Sequence, residues 1–271
     1  KKFKEAETAL IRIRKDKPAQ ENHRIKLFSL TIVIEQDLYL QCGEYEKAMA
    51  ALPGMEKAIK QMKQGLAPEV LLIMEYNMAV IYFGAGCYGD ARKKFYQILN
   101  QSKGLMREAL YCFARLLLLL CHFEMGEYEW LNQGMGAASR FLSGRKRLYA
   151  TESLMLQFLR KQSSLPPDDA RLIDALQLLK RRIIQAQSDP HEGRVREYFD
   201  FISWIDSKIE KKPFAQVDGR CCQALTAAIG QLRAAGGSMQ SPRVDAVRPT
   251  RPVSPTARPR ARSWPRRCRP G

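Results

Sequence analysis

The residues best suited to metal binding and nucleophilic chemistry are few in this chain and widely separated. Histidines occur at positions 23, 122 and 191, and cysteines at positions 42, 87, 112, 121, 221, 222 and 268. No two cysteines have the C-x-x-C spacing of zinc and redox sites, and the first four lie inside helical patterns. We therefore predict no metal site and no cofactor, and we interpret the cysteines as small buried residues in a reducing compartment.

A catalytic site is equally hard to assemble from these residues. The segment HEGRV at His191 begins like a zinc-binding helix but has no second histidine four residues later. Phosphate-binding loops, nucleophile elbows and glycine-rich dinucleotide loops do not occur. His122 falls on a core-facing position, which favours a structural histidine over a catalytic one. The sequence therefore predicts a protein that is not an enzyme.

The net charge of +17 is divided between two regions of different composition. From Asp218 onward the chain has eleven arginines, two aspartates and neither lysine nor glutamate, a net charge of +9, and residues 1–217 carry the remaining +8. We define residues 215–271 as a basic tail, rich in Arg, Pro and Ala, and predict that it is mostly disordered. Two interpretations stay open, a nucleic-acid-binding arm and a frameshift or fusion artefact. The abrupt change of composition favours the second.

The elements that would carry any site are helices. Apolar residues at i, i+3, i+4 and i+7 run almost continuously from Phe3 to Ile209, and strand signals are nearly absent. Glycine, proline and serine divide this pattern into segments of roughly 14–22 residues with short connections. The breaks fall at Pro18, Gly43, 65–68, Gly86, 102–104, Gly126, 143–144, 163–167 and 188–190. Short connections favour antiparallel neighbours, so the sequence predicts an all-α protein of about ten helices stacked as hairpins.

Three of these segments repeat one another. Each has a glycine, a tyrosine two residues later and a small or apolar residue three positions after that, and the glycines are Gly43, Gly86 and Gly126. The intervals between them are 43 and 40 residues. Such a period is typical of units in which one helix pair buries its apolar face against the next pair.

The segment EYNMAVIYFGAGCYGDARKKFYQIL, residues 75–99, resembles a tetratricopeptide repeat. Small residues would let two helix backbones approach, aromatic residues would fill the space beside that contact, and the glycine would permit a turn with positive φ. The matching residues are Met78, Ala79 and Tyr82 in the first helix, Gly86 at the turn, and Tyr88, Ala91, Phe95, Ile98 and Leu99 in the second.

The two flanking repeats match less fully. The first has Tyr39, Gly43, Tyr45, Ala48 and Leu52 in register. Gln36 replaces its small residue, and Pro53 with Gly54 predicts a kink or break in its second helix. In the last repeat Gly126 and Tyr128 match, with His122 in the aromatic place and Leu131 in the small one. The opening FKEAETALIRI resembles a second helix without its partner, which predicts a fragment that begins mid-repeat.

The resemblance implies a domain organisation. It predicts repeats over 1–142, further helices of the same right-handed solenoid over 143–214, and the basic tail beyond. Residues 146–212 contain three more helical patterns, the second capped by Asp168 and Asp169. They are similar to the C-terminal helices of tetratricopeptide proteins of Bacteroidetes-like bacteria.

The resemblance also implies a function, the binding of a partner segment on the concave face lined by first-helix side chains. The residues expected there are Asp37, Asn77, Val80, Phe83 and Arg115. A peptide-carboxylate clamp of the kind found in chaperone-binding members is rejected, because Val80 is apolar and the preceding repeat offers Ile34 and Asp37. The alternative function is nucleic-acid association through the basic core and tail, which would weaken steeply with salt.

Two kinds of segment bear on location, membrane spans and export signals. No run of about 18 uncharged apolar residues occurs, so no membrane span is expected. The opening KKFKEAETAL carries charges through its first turns and does not read as a signal peptide. We predict a cytoplasmic protein, and because the chain lacks an initiator methionine, a targeting segment upstream stays open.

Overall fold

A computed structural model describes residues 2–15, 19–100, 108–144, 149–162 and 169–217. The regular structure in those ranges is entirely helical, which confirms the predicted all-α class. The helices are α1 (Lys2–Lys15), α2 (Glu21–Cys42), α3 (Tyr45–Met62), α4 (Pro68–Gly84), α5 (Tyr88–Asn100), α6 (Glu108–Glu124), α7 (Tyr128–Ser143), α8 (Ala150–Gln162), α9 (Ala170–Ala186), α10 (Pro190–Gly193), α11 (Val195–Tyr198), α12 (Phe201–Ile209) and α13 (Phe214–Val217), with one 3-10 turn at Lys63–Gly65.

The helices pack in chain order. From α1 to α9 each helix contacts the next, and α9 contacts α12. The even-numbered helices form an additional row, in which α2 packs on α4, α4 on α6 and α6 on α8. We call the side of this row that carries Phe83 of α4 and Phe113 of α6 the inner face. It is the face on which the sequence places the partner-binding residues.

The three repeat glycines end their helices in the same way. Gly43, Gly86 and Gly126 have φ of 65°, 77° and 69°. The residue after each glycine donates its backbone N–H to the carbonyl five residues earlier, as Cys87 does to Tyr82 at 2.9 Å. This is the six-residue bond of a Schellman cap. The positive φ expected at Gly86 is confirmed, and Ala48 and Ala91, both 0% exposed, have the predicted core-facing register.

Gly86→Val should lower the free energy of unfolding by about 1–3 kcal/mol, because a β-branched residue is strained at positive φ. A side chain at Gly86 would meet nothing within 4 Å, so the loss comes from the backbone alone. Gly89 also has open space around it and lies within α5, so Gly89→Val is the matched control. Equal melting temperatures for the two variants would contradict the backbone explanation.

Helix α3 corrects one sequence prediction. It runs unbroken from Tyr45 to Met62 with Pro53 inside it, so of the predicted kink or break at Pro53–Gly54 the break is wrong, and the kink stays a prediction. Leu52, Met55 and Ile59 are buried on either side of the proline, and this packing keeps the helix continuous where propensity alone would end it.

The last predicted helical pattern is instead divided among four short helices, α10 to α13. Asp189 caps α10 by accepting a bond from His191 N at 2.8 Å, and Asp200 caps α12 by accepting one from Ser203 N at 3.1 Å. Between them Phe199 is extended, with φ of −160°. The predicted cap at Asp169 is confirmed by its 2.8 Å bond from Arg171 N. Asp168, the breaks at Pro18, 102–104 and 163–167, and residues 218–271 of the basic tail lie outside the described residues.

Candidate functional site

Asp37 and Asn77 form a polar pair between neighbouring even-numbered helices. The Asn77 side-chain amide donates to Asp37 Oδ1 over 3.0 Å, and Asn77 is 7% exposed. One residue comes from α2 and the other from α4, so the bond joins two repeats. The sequence placed both residues at a partner surface, and the structure brings them together as a contact within the chain.

Val80 and Phe83 are core residues, which corrects their predicted role as partner contacts. They are 1% and 0% exposed. The ring of Phe83 packs edge-on against Tyr88 and Phe199, with centroid distances of 5.1 and 5.3 Å. Side chains so enclosed offer no surface to another molecule in this arrangement.

A later segment of the same chain, α11–α13 (residues 195–217), covers the inner face. We call it the C-terminal segment because it is the last one that the structure describes. The Tyr198 ring stacks on Phe113 of α6 at 4.6 Å, and its carbonyl accepts a bond from the Tyr76 hydroxyl of α4 at 3.4 Å. Phe214 stacks on Phe199 at 5.4 Å and lies 5.8 Å from the ring of Tyr45. One segment thus contacts α3, α4 and α6, where the sequence predicts a foreign segment.

Glu124, at the end of α6, anchors the same segment by charge and hydrogen bonding. Its carboxylate accepts the indole N–H of Trp204 at 2.7 Å and the ammonium of Lys208 at 2.5 Å. Burial, and then the negative charge and hydrogen bond of Glu124, raise the pKa of Tyr88 above its ordinary value. Glu124 therefore joins α5, α6 and α12.

Arg115 is the remaining predicted partner residue, and its guanidinium is engaged within the chain. It lies 4.1 Å above the ring of Phe141 in α7, a cation–π contact. Burial lowers the pKa of Arg115, and its Nε is buried without a hydrogen-bond partner among the described residues. This contact lies within one helix pair, α6 and α7, whereas the Asn77 bond joins two pairs.

A different surface has room for a ligand, a groove between α1, α2 and α3 of about 540 Å³ that we call the α2 groove. Its lining is mostly apolar and includes three charged side chains. The lining residues are Arg14, Arg24, Leu27, Phe28, Thr31, Ile32, Glu35, Ala51, Gly54, Met55 and Ala58. The volume is within the usual range for small-molecule and cofactor pockets.

The α2 groove exists because α3 presents small residues to it. Ala51, Gly54 and Ala58 lie on one side of α3 at helical spacing, and a side chain at Gly54 would meet nothing within 4 Å. On the other wall, Arg14 of α1 pairs with Glu35 of α2. Sequence reasoning noticed Pro53–Gly54 only as a helix interruption, and the usable signal was the run of small residues around it.

His122 belongs to a hydrogen-bonded chain that links three helices. It is 3% exposed; its Nδ1 donates to Glu127 at 2.7 Å, and its Nε2 lies 3.3 Å from the hydroxyl of Tyr96. Arg92 Nη1 donates to both oxygens of Glu127 at 2.7 Å. These bonds connect α5, α6 and the start of α7, which fits the predicted structural role of His122.

Glu127→Gln should lower the melting temperature at pH 7 and have a smaller effect in acid. The bond to His122, and then Arg92, hold the pKa of Glu127 below its ordinary value of 4.5. A lowered folded-state pKa stabilises the protein above the ordinary value, and this stability is lost as pH falls through the folded-state pKa. Thermal melts of both proteins from pH 7 to pH 3 test this, and a constant difference would contradict it.

Metal and membrane features are absent from the described ranges. Among those residues no group of three or more His, Cys, Asp or Glu side chains is arranged to hold a metal ion. Within the same part of the chain, no helix combines the length and the apolar character needed to cross a membrane.

The inner face and the α2 groove therefore differ in kind. The first is filled by the C-terminal segment, whereas the second is an open, mostly apolar depression with three charged residues in its lining. The α2 groove is the candidate site of this chain. Comparison with known proteins found no matching family model, no matching curated protein and no matching solved structure.

Proposed function

We propose that this chain is a non-enzymatic protein-interaction scaffold, a tetratricopeptide-type solenoid that holds a segment of another protein in the α2 groove. The observation that carries the proposal is the contrast between the two surfaces. The inner face of α4 and α6 is covered by aromatic side chains of the same chain, while the α2 groove is an open cavity of about 540 Å³ with a mostly apolar lining. Exposed apolar depressions of this kind are typical of interaction sites.

Two features support the solenoid part of the proposal. The Schellman turns recur at Gly43, Gly86 and Gly126, with 43 and 40 residues between them. Each even-numbered helix from α2 to α6 contacts both its chain neighbours and the next even-numbered helix. Repeated helix pairs that bury their faces against the next pair have this pattern, and their surfaces commonly bind other proteins.

Site-specific photocrosslinking in the source cells would test the proposal. A benzophenone amino acid at Ala58, inside the groove, should capture the same protein reproducibly, whereas the same group at Gly89 of α5 should not. Gly54→Trp, which fills the groove, should remove the product from the Ala58 variant. Identical products from both positions, or a product that persists after Gly54→Trp, would contradict binding in the α2 groove.

A further inference from the structure

The α2 groove also has features that specify the kind of segment it accepts. Resting on the proposed function, we propose that the occupant is an amphipathic helix of a partner protein, with carboxylates flanking its apolar stripe. Three properties of the groove support this occupant: its walls, its shape and its charge.

The walls favour a helical occupant. Both long walls, α2 and α3, are α-helices, whose interior N–H and C=O groups are bonded within each helix. An extended segment would find no sheet edge there to complete its own backbone bonds, whereas a helix brings its backbone already satisfied. Recognition must therefore use side chains, as in helix-in-groove complexes.

The shape of the groove fits a few turns of such a helix. Lining residues on α2 extend from Arg24 to Glu35, roughly 17 Å at 1.5 Å per residue. The side of α3 that faces the groove has short side chains, because Ala51, Gly54 and Ala58 lie there. Small residues allow the axes of two helices to approach closely. The floor between them, which includes Phe28 and Met55, would accept apolar residues at i, i+3 or i+4, and i+7.

Charged residues in the lining and beside it indicate which charge the polar face of the occupant should carry. Arg14 is paired with Glu35, the only carboxylate in the lining. Arg24 at the other end is exposed and has no ion-pair partner among the described residues. Lys57 is outside the lining but follows the lining residue Gly54 by three positions on α3; it is exposed and likewise has no such partner in the described ranges. Two uncompensated cations therefore favour carboxylates on the partner.

The test measures binding of two synthetic helical peptides to the full chain by fluorescence anisotropy. Both have the same leucine stripe; one carries glutamates beside it and the other lysines. The acidic peptide should bind at least about tenfold more tightly, corresponding to about 1.4 kcal/mol. In the double variant Arg24→Glu, Lys57→Glu this preference should be lost or reversed, because close like charges oppose binding.

A pair of tryptophan variants fixes the location of binding. A Cβ at Gly54 or at Gly89 would meet nothing within 4 Å, so neither variant should melt below the parent. Gly54→Trp should abolish binding of the acidic peptide, and Gly89→Trp should leave it unchanged. Binding that persists in Gly54→Trp would overturn the inference by placing the site elsewhere.

The remaining outcomes separate this inference from the proposed function. If both peptides bind equally and both are lost in Gly54→Trp, the charge inference fails while the groove remains a protein-binding site. If the acidic peptide fails to bind but the Ala58 crosslink forms and is lost in Gly54→Trp, the helical occupant is wrong and the scaffold proposal stands. If neither peptide nor the crosslink depends on Gly54, the proposed function itself fails. Self-association of the chain that Gly54→Trp removes would overturn the inference in favour of a second copy as occupant.

Discussion

Trp204→Ala is expected to lower the free energy of unfolding by about 3–5 kcal/mol, the usual range for removing a buried tryptophan. Trp204 is 0% exposed and lies edge-on to Phe123 and Phe158, with centroid distances of 6.1 and 6.2 Å. The substitution empties the largest side-chain volume in the centre of α12. It also removes the indole donor of Glu124, whose carboxylate is left with fewer partners in a largely buried place.

The chain provides a matched control for this prediction. Trp130 on α7 is 58% exposed, so Trp130→Ala should change stability by no more than about 0.5 kcal/mol. Chemical denaturation followed by circular dichroism measures both variants. If they lose similar amounts of stability, the C-terminal segment is not docked on α6 and α8 as described.

Gly84→Ala is expected to destabilise the protein by about 2–3 kcal/mol, although alanine is the better helix former. A Cβ at Gly84, the last residue of α4, would lie 2.0, 2.4 and 2.5 Å from three ring carbons of Tyr45. Tyr45 is 1% exposed and its ring packs against that of Phe214, with 5.8 Å between the centroids, so it has little room to move. Overpacking a tight core usually costs about 1–3 kcal/mol.

The control substitution should have the opposite sign. Gly89→Ala places a methyl group in open space within α5 and should stabilise the protein by up to about 1 kcal/mol through helix propensity. Melting curves of the two alanine variants, recorded side by side, give the comparison. A stabilising Gly84→Ala would show that α4 and Tyr45 are further apart than described.

Sequence reasoning succeeded where the physics is local. Gly86 could be placed at positive φ because a helix that ends in a Schellman turn needs a residue without a Cβ penalty there. Ala91 could be placed in the core because its spacing from Phe95 follows the helical period. Asp169 could be assigned as a cap because it precedes the helical pattern that begins at Ala170.

It failed where distant parts of the chain decide the outcome. Tyr198 contacts Tyr76 across 122 residues, and no local pattern near Val80 or Phe83 announces the segment that buries them. Pro53 is a second example, because local rules predict that it interrupts the helix, whereas tertiary packing keeps α3 continuous. The α2 groove escaped notice because a cavity depends on three helices at once.

The docking of the C-terminal segment has a consequence for cooperativity. In a simple repeat protein each unit contacts only its neighbours, and units can unfold one after another from an end. Here residues 198–214 contact Tyr45, Phe83, Phe113 and Phe158, which belong to four helices from α3 to α8. These four helices all depend on contacts with residues that are synthesised after them. Their core is therefore incomplete until the ribosome has released residues 198–214. Unfolding of α3–α12 should accordingly be a single transition, with the long-range contacts that slow folding also suppressing partial opening.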